Sequence, residues 1–271
     1  MAIGVFKEVA LKRSGEVLWM TLNRPESANA MDPATYSQLV AALAMAEADS
    51  EIRAAVITGA GGRVFSAGAD MKNPTGLSTE MLARLSSRWL MRTLLAAIDF
   101  DKPLVAAVNG VAAGAGCFLA LVADLVVAAE NASFVLSEID VGRTTFPGLV
   151  LLSELAGPKL AADMVLTGRR MSAAEAERRG LVARLASPEK LAEEAQGLAA
   201  LLGSKPPTAL ALNKRWLRAP LREMLVRASE ASQAARPELM ASGEPQAATD
   251  AFFARQAARK KDEESGTDRV G

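Results

Sequence analysis

Asn109-Gly110-Val111-Ala112-Ala113-Gly114-Ala115-Gly116-Cys117-Phe118 follows one apolar run, Leu104 to Val108, and opens directly into another, Cys117 to Val122. The first run reads as a β-strand and the second as a helix, with a glycine-rich turn between them. An earlier stretch repeats half of this pattern. Phe65-Ser66-Ala67-Gly68-Ala69-Asp70 lies beyond the strand-like run Ala54 to Thr58. Small residues at such turns leave backbone N–H groups uncovered. Two of these converging on one carbonyl oxygen, one of them at a helix N-terminus, make an oxyanion hole.

Toward the N-terminus, Val17 to Leu22 reads as a strand ended by Asn23-Arg24-Pro25. Asp32-Pro33 then starts a helix, with Asp as N-cap and Pro at the first helical position. Leu39, Val40, Leu43 and Ala46 carry its helical spacing. The periodicity predicts a long helix from Thr79 to Ile98, broken off by Pro103. Leu82, Leu85, Trp89 and Leu90 share a face of it. Leu125 to Ala129 and Ser133 to Leu136 are further short strands, and a helix follows near Pro158 to Leu166. Ser172-Ala173-Ala174-Glu175 is a capping box with Gly180 at the end of its helix, and Leu181 to Leu185 is a last strand. Beyond Pro188 only helix-like segments remain, punctuated by Pro206-Pro207, Pro220 and Pro245. The class is therefore α/β. Residues 1–200 read as a core of strand-strand-helix units and residues 201–271 as a helical region.

Composition removes several kinds of chemistry. The 271 residues contain no histidine and a single cysteine. Without histidine there is no Ser-His or Cys-His dyad and no His-ligated metal site, so no metal is expected. Cys117 has no base to activate it and reads as a small buried hydrophobe. Lys plus Arg and Asp plus Glu number 31 each, which gives no bias toward nucleic acid. No apolar run reaches transmembrane length without a charge, and no secretory pattern opens the chain. The expected location is the cytoplasm. Gly59-Ala60-Gly61 after a strand is not a dinucleotide fingerprint, because Val64-Phe65 follows where a helix should start.

Carboxylates remain. Glu138 lies in Phe134-Val135-Leu136-Ser137-Glu138-Ile139, an otherwise apolar stretch that raises a carboxyl pKa and suits general acid–base work. A solvated loop glutamate is the plainer alternative. Asp140 would share its side in an extended segment, although a surface or capping role fits it as well. Asp70 would repel an oxyanion and reads as a residue that fixes its turn.

Taken together these residues resemble the crotonase superfamily, the enoyl-CoA hydratase/isomerase family. Leu22-Asn23-Arg24-Pro25 with Asn29-Ala30-Met31 is similar to the family's opening segment. Phe65 to Lys72 is similar to its first oxyanion turn. Lys102-Pro103 with Ala106 to Gly110 and Gly114 to Cys117 is similar to the second. Leu166-Thr167-Gly168 and Ala173 to Val182 match the region after the site. The resemblance spans Val17 to Phe253. It implies a spiral of ββα repeats with a C-terminal helical region, assembled as trimers or as hexamers made of two trimers. It implies an acyl-CoA substrate, with coenzyme A part of the substrate and no other cofactor. By motif position it gives the hole's two N–H groups to Ala69 and Ala115. CoA-binding positions fall on Ala67, Asp70, Met71 and Lys72, with Arg24, Ala28 and Ala30 near the nucleotide end. Arg255 lies in a segment that often meets CoA from a neighbouring subunit.

The family's hydratases use two glutamates. The second matches Glu138, but Phe118 stands where the first belongs. One carboxylate taking a proton from C2 and returning it at C4 suffices for double-bond isomerisation, the favoured expectation. A hydratase, or a hydratase-lyase of hydroxycinnamoyl-CoA type, working with Glu138 alone is the alternative. A non-catalytic acyl-CoA-binding subunit is the alternative of another class. Leu77, Met81, Leu85 and Trp89 are candidates to line the acyl pocket, though core packing explains such a stripe equally well.

Overall fold

A computed structural model describes residues 6–70, 79–251 and 254. Met71, Lys72, Leu77 and Arg255, with Phe252 and Phe253, lie outside the described residues. The chain begins with an antiparallel hairpin, β1 (Val9–Ser14) and β2 (Val17–Leu22), followed by α1 (Pro33–Ala48). The Asp32 carboxylate caps α1, accepting from the Thr35 amide at 2.7 Å. Three strand-strand-helix units follow. They are β3 (Ala54–Gly59), β4 (Val64–Ser66) and α2 (Thr79–Ile98); β5 (Leu104–Val108), β6 (Val111–Ala113) and α3 (Ala115–Val122); and β7 (Leu125–Ala129), β8 (Ser133–Val135) and α4 (Phe146–Ala156). Then come α5 (Pro158–Thr167), β9 (Arg170–Ser172), α6 (Ala173–Arg178), β10 (Arg184–Ala186), α7 (Leu191–Gly203) and α8 (Pro207–Ala241).

The two strands of each unit part company. β3, β5 and β7 join a six-stranded sheet of order β1-β2-β3-β5-β7-β10, parallel except at its hairpin edge. β4, β6 and β8 build a four-stranded sheet, closed by β9 running antiparallel. Each unit thus steps both sheets forward by one strand, which is the crotonase spiral. The parallel register explains the sequence. β5 is buried at every position, so it shows an unbroken apolar run instead of an alternating one.

Two elements differ from their sequence reading. The last strand forms at Arg184–Ala186, because Leu181 and Val182 are tied back to the Ala176 carbonyl at 2.9 and 3.3 Å. Pro220 does not punctuate the C-terminal helix, since α8 runs through both Pro220 and Pro237. Pro220 removes one helical hydrogen bond, but α8 is pinned on both sides of it. Lys214 meets Asp124 at 2.6 Å, Arg218 reaches the Ala123 carbonyl at 2.6 Å and Arg222 meets Asp99 at 2.7 Å. Beyond these anchors α8 lies against α4 and α2.

Candidate active site

The two glycine-rich turns meet. β4 ends at Ser66, and the chain then pairs for one residue with the segment before α1. The Met31 amide donates to the Gly68 carbonyl at 2.7 Å, and the Asp70 amide donates to the Met31 carbonyl at 2.9 Å. In such a parallel bridge the N–H of Ala69 points the opposite way, and it has no partner among the described residues. Gly68 holds φ at +95°, a conformation open to glycine. A Cβ there would sit 2.8 Å from the Ala113 carbonyl oxygen and 3.2 Å from the Ala115 nitrogen. Ala115 is the first residue of α3, so its N–H lacks a helical acceptor. Two amides without a partner among the described residues, Ala69 and Ala115, therefore lie on turns in direct contact.

Glu138 closes over the second turn. A Cβ on Gly114 would be 3.0 Å from Glu138 Oε1. The other carboxylate oxygen, Oε2, is buried without a hydrogen-bond partner among the described residues. Burial pushes the Glu138 pKa up to about 7, against the pull of its own backbone N–H and of Arg143. Cys117 is fully buried, and burial followed by the Glu138 charge pushes its thiol above the ordinary range. The extended geometry that would align Asp140 with Glu138 is absent, because Glu138–Val141 is a 3₁₀ turn. Asp140 is exposed and sits instead beside Gly168 at the end of α5. Phe118 is buried against the cavity, its ring edge near Gly148.

A cavity of about 270 Å³ opens from this point. Ala67, Gly68, Ala69, Ala113, Gly114, Ala115, Phe118 and Glu138 line one side. The opposite side comes from helix faces that sequence reasoning placed differently. On α2 the cavity is lined by Ala83, Ser86, Ser87, Leu90 and Met91, not by Met81, Leu85 and Trp89. Met81 is exposed at 44%, and Trp89 packs partly buried on the core. On α8 the stripe is Ser229, Ser232, Arg236, Leu239 and Met240, at spacings of three, four, three and one. Arg143, Thr145 and Tyr36 complete the polar lining. The hydroxyls of Thr145 and Tyr36 are buried without a described partner, and Thr145 makes no capping bond to α4. Burial, then Asp32, raises the Tyr36 phenol far above neutrality, so it stays protonated. None of these was singled out from sequence. The signal was available only as helical spacing once α8 was known to cover the site.

The segment before α1 buttresses the first turn. Ala28 and Asn29 both take left-handed φ, 52° and 53°. The Asn29 side chain offsets that strain by donating to the Ala60 and Val64 carbonyls, both at 2.9 Å. Ala28 accepts from Ala67 at 2.9 Å, and Ala30 accepts from Arg24 at 2.6 Å. Arg24 is enclosed by Asp70 at 2.9 Å, Glu8 at 3.2 Å and Asp32 at 3.6 Å. Its charge is more than matched by its neighbours, and Asp70 is occupied in holding the turn. Among the described residues there is no cluster fit to hold a metal ion, and no helix is long and apolar enough to cross a membrane.

Known proteins share this architecture. Residues 12–262 match the family described as enoyl-CoA hydratase/isomerase. A carnitinyl-CoA dehydratase of Salmonella typhi is 43% identical over 210 residues, 77% of this chain and 79% of that protein. The structure of a carnitinyl-CoA dehydratase from Mycobacterium avium 104 superposes with a TM-score of 0.78 at 31% identity, over 92% of this chain and 96% of that one. An enoyl-CoA hydratase/isomerase from Pseudoalteromonas atlantica T6c gives 0.80 at 30% identity, over 92% and 98%. The match over most of the chain, on a spiral whose two turns and one carboxylate meet at a single cavity, makes this protein a member of the enoyl-CoA hydratase/isomerase family, the crotonase superfamily.

Proposed function

We propose that the protein acts on acyl-CoA thioesters through an enolate. The thioester oxygen lies between the amides of Ala69 and Ala115, and Glu138 moves the proton. The observation that carries this reading is the half-buried carboxylate beside Gly114, whose Oε2 is enclosed without a partner among the described residues and whose pKa is pushed up to about 7. A group poised there is both a competent base and a competent acid at neutral pH. The favoured reaction is 3-enoyl to 2-enoyl-CoA isomerisation, because one carboxylate on one face serves C2 and C4 in turn. Phe118 supports it by keeping a second carboxylate and water away from the hole.

Hydration or dehydration is the second reading. The names of the relatives favour it, and so do the Thr145 and Tyr36 hydroxyls, on residues that line the cavity and without a partner among the described residues. A spectrophotometric panel of 2-enoyl, 3-enoyl and aromatic enoyl-CoA thioesters separates the readings. Wild type isomerises faster than it hydrates on matched chains. Phe118→Glu restores the missing carboxylate and raises the hydration-to-isomerisation ratio roughly tenfold or more. A wild type that hydrates as fast as it isomerises removes the isomerase preference. No turnover of any thioester alongside tight binding would favour a non-catalytic binding subunit.

Gly68→Ala tests the contact between the turns. The added methyl meets the Ala113 carbonyl and requires a strained φ, so it should force the two amides apart. Expected are a loss of about 1–3 kcal/mol in stability and a fall in turnover beyond what reduced folding explains. Calorimetry and steady-state kinetics read the two effects separately.

Coenzyme A enters as part of the substrate, with Ala67, Asp70, Met71 and Lys72 as its binding positions, Arg24, Ala28 and Ala30 toward the nucleotide end, and Arg255 in a segment that serves the CoA of a neighbouring subunit. Residues 201–271 are the proposed oligomerisation region, of which α8 is the long described helix. α8 presents Leu212, Trp216 and Leu217 at 58%, 85% and 74% exposure, an apolar surface suited to a neighbouring subunit. Light scattering should return a trimer or hexamer. A fully active monomer would contradict this assembly.

A further inference from the structure

The cavity's charge is out of balance. Its lining holds two guanidinium groups, Arg143 and Arg236, and one carboxylate, Glu138, which is itself half neutral near pH 7. Neither arginine closes a salt bridge with any described residue. Some other enclosed cations are paired with carboxylates, while half-buried Arg53 and Lys102 are held by backbone carbonyls. Arg24 meets three carboxylates, and Lys214 and Arg218 share Asp124. Arg236 is half-buried, and among the described residues it is held by its bond to Ser87 Oγ at 3.3 Å. Ser87 spends its own proton on the Ala83 carbonyl at 2.8 Å, so it presents a lone pair and fixes the guanidinium. Burial first, then neighbouring Arg84, disfavours the charge on Arg236, with Glu80 only partly opposing them. Ser232 and Ser229 stand one and two turns back on the same face of α8, and Ser86 lines the cavity from α2. Leu90, Met91, Leu239 and Met240 supply an apolar flank for a methylene stem.

A partly enclosed guanidinium without an anion is an incomplete pair, and its planar donors match a carboxylate geometrically. Resting on the acyl-CoA reading above, we propose that the acyl group of the substrate ends in a carboxylate, gripped by Arg236 and the serines around it, with Arg143 adding to the attracting field. The same field repels a quaternary ammonium, so the acyl specificity differs from that carried in the name of the carnitinyl-CoA relatives. Specificity here combines an attraction with a repulsion.

Three saturated CoA thioesters test this without turnover. They are glutaryl-CoA, its isosteric analogue ending in an isopropyl group, and its analogue ending in trimethylammonium. Calorimetry on the full-length protein should give glutaryl-CoA roughly tenfold or more tighter than the isopropyl analogue, and the trimethylammonium analogue weakest. The preference shrinks as salt is raised. Arg236→Met should abolish it while leaving the isopropyl analogue within about threefold, and Arg236→Lys should retain part of it. Equal affinities, or tightest binding of either other ligand, overturn the proposal and leave the acyl-CoA reading standing. If none of the three binds, that reading fails as well.

Discussion

Glu138→Gln turns over acyl-CoA roughly 10²–10⁴-fold more slowly than wild type while binding CoA thioesters nearly as tightly. The amide keeps the shape of the side chain and loses the proton. No second carboxylate is in place to take over, since Phe118 fills the matching position and Asp140 is turned to Gly168. The wild-type kcat/KM for isomerisation should fall on the acid side of about pH 7, where the base becomes protonated. Stability carries a second signature of the same group. The folded pKa, about 7, lies above the ordinary 4.5. The native state then holds the extra proton between these values, so stability is full below the lower one and is lost as pH rises through the upper. At pH 8 the buried charge costs on the order of 3 kcal/mol. Glu138→Gln should be more thermostable than wild type at pH 8 and no different at pH 4. A variant that keeps most of its turnover would take Glu138 out of the mechanism.

Ala115→Pro should lower turnover by roughly 10²–10³-fold, whereas Ala115→Gly is mild. The comparison works because of where Ala115 sits. As the first residue of α3 it makes no helical hydrogen bond through its nitrogen, and proline is well accepted there. The substitution therefore deletes the Ala115 N–H proposed to hold the thioester oxygen and leaves the helix. Gly114, already at φ +49°, precedes it and tolerates the restriction better than another residue would. Matching circular dichroism and oligomeric state for the two variants make the kinetic difference interpretable. Equal rates would mean that this amide holds no substrate oxygen.

Much of this molecule could be read locally, because its strands are continuous apolar runs and its helices carry their own start and stop residues. Asp32-Pro33 and the strands at Val17, Ala54, Leu104 and Leu125 appear where the sequence puts them. The two turns were legible for the same reason: glycines there serve a local conformation. The wall opposite was not. Ser229, Ser232 and Arg236 have nothing in their own neighbourhood to mark them, and their meaning comes from α8 crossing over residues far earlier in the chain. Arg143 and Thr145 were hidden likewise, because the 3₁₀ turn at Glu138 redirects the segment that carries them. The same turn leaves Asp140 exposed, in line with its surface reading and not with a face shared with Glu138. Pro220 misled because local propensity disfavours what the anchors at Lys214, Arg218 and Arg222 enforce.

The anchoring of α8 also sets an order of events at the ribosome. Both turns and Glu138 are made before residue 139 leaves the synthesis site, so their half of the cavity can assemble early. The α2 face of the opposite wall is made early too, but its α8 face begins at residue 229, roughly 5–20 seconds later at ordinary elongation rates. Until Lys214 and Arg218 find Asp124, that face has no position. A nascent chain can therefore bring the two turns and Glu138 together while it still lacks the α8 face on which the proposed acyl selectivity rests.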